Sequence, residues 1–151
     1  MPKSEASVKI NSTIEKVFDT VADPEKMSEY ASSSILTNAK GEPGEPGSYA
    51  EYDYHVMGMK FPTKMTVSEV DKPSKLVQEM SGAMPGKWTW NLEKEGQAVQ
   101  VDFCIDYRVP GGVLGKCADK LFLGKMNQKN LEKTLHNLKI YCEKQAEIIN
   151  S

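Results

Sequence analysis

Residues 98–112 read AVQVDFCIDYRVPGG. Val99, Val101, Phe103, Ile105, Tyr107 and Val109 alternate without a miss against Gln100, Asp102, Cys104, Asp106 and Arg108, and Pro110-Gly111-Gly112 stops the pattern. Successive side chains of a strand point to opposite faces, so an unbroken period of two describes an antiparallel strand with one face buried and the other wet. Such a strand needs neighbours to complete its hydrogen bonds and a partner layer to cover its apolar face.

Upstream the same period recurs. Trp88, Trp90 and Leu92 alternate with Thr89, Asn91 and Glu93, and Tyr52, Tyr54 and Val56 with Glu51, Asp53 and His55. With turn signals at Gly41 to Gly47, Gly58, Asp71-Lys72-Pro73, Gly82 to Gly86 and Gly96, the pattern predicts strands near 33–40, 48–57, 60–71, 75–82, 87–95 and 98–109. A further strand is expected at 5–11. After it, Ser12 is placed to cap a helix, with Glu15 closing a capping box and Ile14, Val17, Phe18 and Val21 forming one apolar face. Asp23 then caps a second short helix with Pro24 at its first position and Met27, Tyr30 and Ala31 turned inward.

Downstream, Leu131, Leu135, Leu138 and Cys142 make an apolar stripe on a long final helix, with Lys133, Asn137, Lys139 and Lys144 outside. Its first half is less regular: Leu114, Cys117, Leu121, Phe122 and Met126 drift around the axis, and Gly115 and Gly124 interrupt it. These elements predict one α+β domain over residues 1–151, a curved seven-stranded antiparallel sheet wrapped around the C-terminal helix, with two short helices after the first strand. A helix is only about 10–12 Å across, so a strongly curved sheet can grip one end of it and stand away from the other, leaving room for a ligand.

Composition narrows the function. The net charge is -2, and Arg108 is the only arginine among 19 basic residues, which argues against nucleic acid. Three cysteines without a Cys-x-x-Cys pair, and two histidines, argue against a metal centre or a disulfide framework. There is no apolar run long enough for stable membrane insertion and no N-terminal apolar h-region, so a cytoplasmic location is expected. No nucleophile elbow, phosphate loop, dinucleotide fingerprint or zinc helix occurs, so no catalytic residue, metal ligand or cofactor is assigned.

Several segments carry a resemblance to a known superfamily. Ser12-Thr13-Ile14-Glu15-Lys16-Val17-Phe18 with Ala22-Asp23-Pro24-Glu25-Lys26 resembles an opening signature, Val70 to Leu76 a strand-turn-strand signature, and Tyr107 to Gly115 the link into the last helix. In this order they resemble the START-like superfamily, also called SRPBCC or helix-grip proteins, in its polyketide cyclase/dehydrase and lipid-transport branch. The resemblance implies the helix-grip fold and a habit of binding hydrophobic ligands; carriers, cyclases and chaperone-binding modules all occur on it, so it names no ligand.

The expected function is therefore binding or transport of a small hydrophobic or amphipathic molecule between sheet and final helix. Candidate lining residues are Tyr30, Tyr52, Tyr54, Phe61, Met65, Met80, Trp88, Trp90, Phe103, Tyr107, Phe122 and Met126, with tyrosines and Gln78 as polar handles. By position, Gly41 to Gly47 resembles an entrance loop and is expected to gate the cavity, with Met84 on a second rim. Two alternatives stand beside this reading. A cyclase or dehydratase would need His55 with Glu51 or Asp53 inside the cavity, whereas alternation puts them outside. A chaperone-activating interaction module would need an exposed apolar patch.

Overall fold

The computed structural model describes residues 3–31, 34–56, 58–82, 85–107 and 120–150, with the side chains of 28, 56, 120–124, 126 and 146–150 excepted. The elements run β1 (Lys3–Ile10), α1 (Ile14–Ala22), a 3-10 turn (Pro24–Lys26), α2 (Met27–Tyr30), β2 (Ser34–Lys40), β3 (Tyr49–Val56), β4 (Met59–Asp71), β5 (Lys75–Gly82), β6 (Gly86–Glu95), β7 (Ala98–Tyr107) and α3 (Lys120–Asn150). The strands form one antiparallel sheet in the order β1-β7-β6-β5-β4-β3-β2. Every neighbour but the first pair is a sequential hairpin, so the chain meanders across the sheet and β1 closes it beside β7.

The expected strand phases hold. On β7, Val99, Val101, Phe103 and Tyr107 are buried, and on β6 Trp88, Trp90 and Leu92 are buried. Two bulges bend the sheet. One extra residue, Thr37, sits between Leu36 and Asn38 in β2, and another, Ser68, between Val67 and Glu69 in β4. Their hydroxyls donate to nearby partner-strand carbonyls, Thr37 to Glu51 at 3.1 Å and Ser68 to Val77 at 3.4 Å. The β4 bulge also resets the alternation: Phe61, Thr63, Met65 and Val67 point inward before it, and Val70 after it.

One helix cap differs from the expected one. Thr13, in extended conformation, caps α1, its Oγ1 accepting from the Lys16 N–H at 3.3 Å. Ser12 is still turning off β1, its own N–H donating to the Ile10 carbonyl at 3.0 Å. The shift of one residue makes Glu15 the second helical residue, so the Ser12–Glu15 capping box does not form. Asp23 does cap the following turn: its Oδ1 accepts from the Glu25 N–H at 3.0 Å, with Pro24 at the first position.

Leu131, Leu135, Leu138 and Cys142 are buried on α3, while Lys133, His136 and Lys144 are exposed. Asn137 and Lys139 are not fully outside as expected. Asn137 Nδ2 donates to the Tyr30 carbonyl at 3.3 Å, and Lys139 Nζ donates to the Lys9 carbonyl at 2.9 Å and to Glu143 at 2.6 Å. These bonds satisfy carbonyls at the ends of α2 and β1, and they fasten α3 where it crosses them. The expectations for Leu114, Cys117 and the 108–115 link, and for Met84, lie outside the described residues.

Candidate functional site

Sheet and helix part along the inner face of β6 and β7, where a cavity of about 60 Å³ opens. Its apolar wall is Met80 from β5, Trp88 from β6, Phe103, Ile105 and Tyr107 from β7, Ala31, and Leu131 from α3. Trp88 meets Phe103 edge-on, with ring centroids 5.2 Å apart at 67°, while Trp90 stacks on Phe103 at 3.7 Å and 7°. The aromatic wall is thus backed by a second ring that is wholly buried, which holds its shape.

A polar rim faces this wall. Ser4 and Ser34 occupy inward positions on the two edge strands, and Asn127, Asn130 and Thr134 come from α3. Tyr54 joins the sheet to that helix face. Its hydroxyl donates to Asn127 Oδ1 over a long 3.4 Å and accepts from Asn130 Nδ2 at 3.5 Å. Burial pushes the Tyr54 phenol up, partly opposed by the Asn130 hydrogen bond, so at neutral pH it remains an un-ionised donor. Trp88 Nε1 is buried with no hydrogen-bond partner among the described residues. A buried donor without an acceptor costs about 1–3 kcal/mol, and natural structures hold few of them.

Five of the twelve expected lining residues meet here: Tyr54, Met80, Trp88, Phe103 and Tyr107. Tyr52 and Met65 line a different hollow, beneath the Gly41 to Gly47 loop. Tyr30 and Trp90 have no exposed surface and pack inside the core, and Phe61 is buried without lining either space. The side chains of Phe122 and Met126 are outside those described. The Gly41 to Gly47 loop likewise borders the hollow beside Tyr52 instead of the sheet–helix cavity. Its turn depends on Gly41, at φ +89, where an added Cβ would lie 2.9 Å from Ser48 Cβ.

The polar rim was absent from the expected set. Asn127, Leu131 and Thr134 are spaced 4 and 3, so Asn127 and Thr134 continue the buried stripe with polar residues. Polar residues in register with an apolar stripe were the available signal. Glu51, Asp53 and His55 border neither space. Among the described residues no three His, Cys, Asp or Glu side chains gather as metal ligands, and no described helix is long and apolar enough to cross a membrane.

An open seven-stranded antiparallel sheet curved against one long C-terminal helix, with a cavity at their junction, defines a helix-grip protein of the START-like superfamily. The chain belongs to the polyketide cyclase/dehydrase and lipid transport family, which it matches over residues 1–143. Solved structures share the fold at low identity. TTHA0849 from Thermus thermophilus is 20% identical with a TM-score of 0.71, covering 91% of this chain and 94% of that one. A conserved protein from Geobacillus kaustophilus is 14% identical, with a TM-score of 0.73 and coverage of 94% and 95%. The Aha1 dimer from Colwellia psychrerythraea is 14% identical, with a TM-score of 0.67 and coverage of 95% and 97%. No curated protein matches the chain significantly.

Proposed function

We propose that this protein binds a small hydrophobic or amphipathic molecule at the junction of sheet and C-terminal helix, with an acceptor oxygen of the ligand meeting Trp88 Nε1. The observation that carries this reading is the buried, unpartnered indole N–H of Trp88, a residue of the cavity's apolar wall. Trp88, Phe103 and Met80 supply apolar contact, and the Tyr54–Asn127–Asn130 group orients a polar end. At about 60 Å³ the cavity takes only the leading group of such a ligand, so a larger body enters by displacing a wall.

A cyclase or dehydratase is less well supported, because no Asp, Glu, His, Lys or Arg is among the described residues lining the cavity to move a proton. A chaperone-activating surface is less well supported too. Among the described residues the exposed large hydrophobics are Ile35 and Ile140, one on β2 and one on α3.

The test is native mass spectrometry of freshly purified protein for a co-purifying small molecule. It is followed by titration of fatty acids, isoprenoid alcohols and aromatic polyketides, monitored by Trp fluorescence and Tm. A saturable response that Met80→Trp abolishes is expected. No co-purifying molecule and no saturable response across the panel refutes the proposal.

A further inference from the structure

The hollow beneath the Gly41 to Gly47 loop is larger than the sheet–helix cavity, about 320 Å³, and the two share no lining residue among those described. It lies between the end of α1 with the turn after it, the loop, and the inner faces of β3, β4 and β5. Small-molecule sites begin at about 300 Å³.

Its floor combines apolar side chains with hydrogen-bond donors. Met65 and Val67 supply apolar surface from β4. Gln78, only 7% exposed, comes from β5, and its Oε1 accepts from Trp90 Nε1 at 3.1 Å. An indole nitrogen can only donate, which fixes the amide orientation: oxygen toward Trp90, and both N–H bonds of Nε2 left over. Those two donors have no partner among the described residues, and neither has the hydroxyl of Tyr52. Burial, and then the nearby Asp23 charge, push the Tyr52 phenol up, so it too remains a donor.

The rim is held before any ligand arrives. The Gly47 N–H donates to the Val67 carbonyl at 2.8 Å, the Val67 N–H to the Ser48 carbonyl at 2.9 Å, and Ser48 Oγ to the Glu45 carbonyl at 2.6 Å. A preformed rim lowers the ordering cost of binding.

We propose that this hollow is a second binding site, for a small neutral amphipathic molecule whose apolar body rests on Met65 and Val67 and whose carbonyl or amide oxygen accepts from Gln78 Nε2 and the Tyr52 hydroxyl. The site stands independently of the sheet–helix cavity. A carboxylate ligand meets two carboxylates at the edge, Asp23 and Glu25, against one cation, Lys40, and only neutral donors at the floor. An ammonium group is attracted to Asp23 and Glu25 at the edge, but at the floor it meets the two N–H bonds of Gln78 Nε2, and the Gln78 oxygen already accepts from Trp90 Nε1.

The chain's two tryptophans make the experiment specific. The Trp90 indole is bonded to Gln78 in this hollow's wall, and the Trp88 indole lines the other cavity. In 1H–15N NMR of the full chain, hexanamide is titrated beside hexanoate and hexylamine. We expect saturable shifts at the Gln78 side-chain amide, the Trp90 indole N–H and the Gly41 and Gly44 amides, with hexanamide binding about tenfold or more tightly than either charged analogue. Tyr52→Phe should weaken it about 2- to 10-fold, the value of one hydrogen bond. Ala39→Phe, at an exposed position on the mouth, should abolish it. No saturable shift at Gln78 and Trp90, equal binding of all three probes, or insensitivity to both substitutions overturns the proposal, whatever the Trp88 signal does. Shifts at Trp90 without any at Trp88 support this site while counting against the first one.

Discussion

Gln78→Leu tests how the interior is held. The side chain is 7% exposed, Trp90 has no exposure, and the 3.1 Å bond from Trp90 Nε1 to Gln78 Oε1 is the indole's hydrogen bond among the described residues. Leucine has nearly the same volume and no acceptor, so the substitution leaves packing almost unchanged and strands the indole N–H away from water. An unmet buried donor costs about 1–3 kcal/mol. At about 2–4 °C per kcal/mol for a chain of this size, Tm should fall by about 2–12 °C. The control is Trp90→Phe, which removes the donor while keeping a ring to stack on Phe103. In that background Gln78→Leu has no donor to strand and should cost less than about 0.5 kcal/mol. Urea denaturation of the four proteins, followed by far-UV circular dichroism, gives the coupling. If Gln78→Leu costs the same in both backgrounds, the hydrogen bond does not stabilise the core and the reasoning fails.

Leu138→Ala should cost about 2–5 kcal/mol because Leu138 is fully buried, whereas Ile140→Ala, at a position 52% exposed, should stay within about 0.5 kcal/mol; equal losses in urea melts would contradict the helix face described. Glu143 fastens α3 to the end of β1, accepting from the Asn11 N–H at 2.9 Å and from Lys139. Burial alone would raise its carboxyl, but the Lys139 hydrogen bond, the Asn11 amide and the Lys139 charge together bring it below the ordinary 4.5. A depressed folded-state value stabilises above the unfolded one and is lost as pH falls through the folded one. Glu143→Gln should therefore lower Tm near neutrality by the equivalent of about 0.2–1 kcal/mol, and the gap should close below about pH 4; a pH-independent gap would show that the charge is not involved. Burial pushes the Cys142 thiol up to about 11 and also raises that of half-buried Cys104, but Cys142 is the more deeply buried, so at pH 8 iodoacetamide should label Cys104 about tenfold or more faster, as read by peptide mass mapping, and equal rates would refute the burial.

The strand phases and the final helix stripe were legible because each is a local periodicity: one face of β7 and one face of α3 must be apolar wherever their partners lie. The order of elements followed from turn residues at fixed points, such as Gly96, whose φ of +63 sits in a two-residue hairpin between Glu95 and Ala98. Local rules failed where two choices differ by one residue. Ser12 and Thr13 are chemically almost equivalent caps, and only the departure of the chain from β1 selects Thr13.

The division of inward residues between wall and core was not legible. Tyr52 and Tyr54 are two residues apart on one strand face, yet Tyr54 reaches α3 while Tyr52 borders the hollow under the loop. Trp88 and Trp90 share a face as well, and one lines the cavity while the other is sealed behind Phe103. Alternation tells which face a side chain takes. Whether that side chain meets another or an empty space depends on sheet curvature, set here by the bulges at Thr37 and Ser68, and on where α3 crosses β1. The sequence by itself thus determined the elements, their order and their inner faces, because those are repeats along one chain. The tertiary structure alone decided that the inner face borders two separate spaces, because each is bounded by residues far apart in sequence and close only after folding.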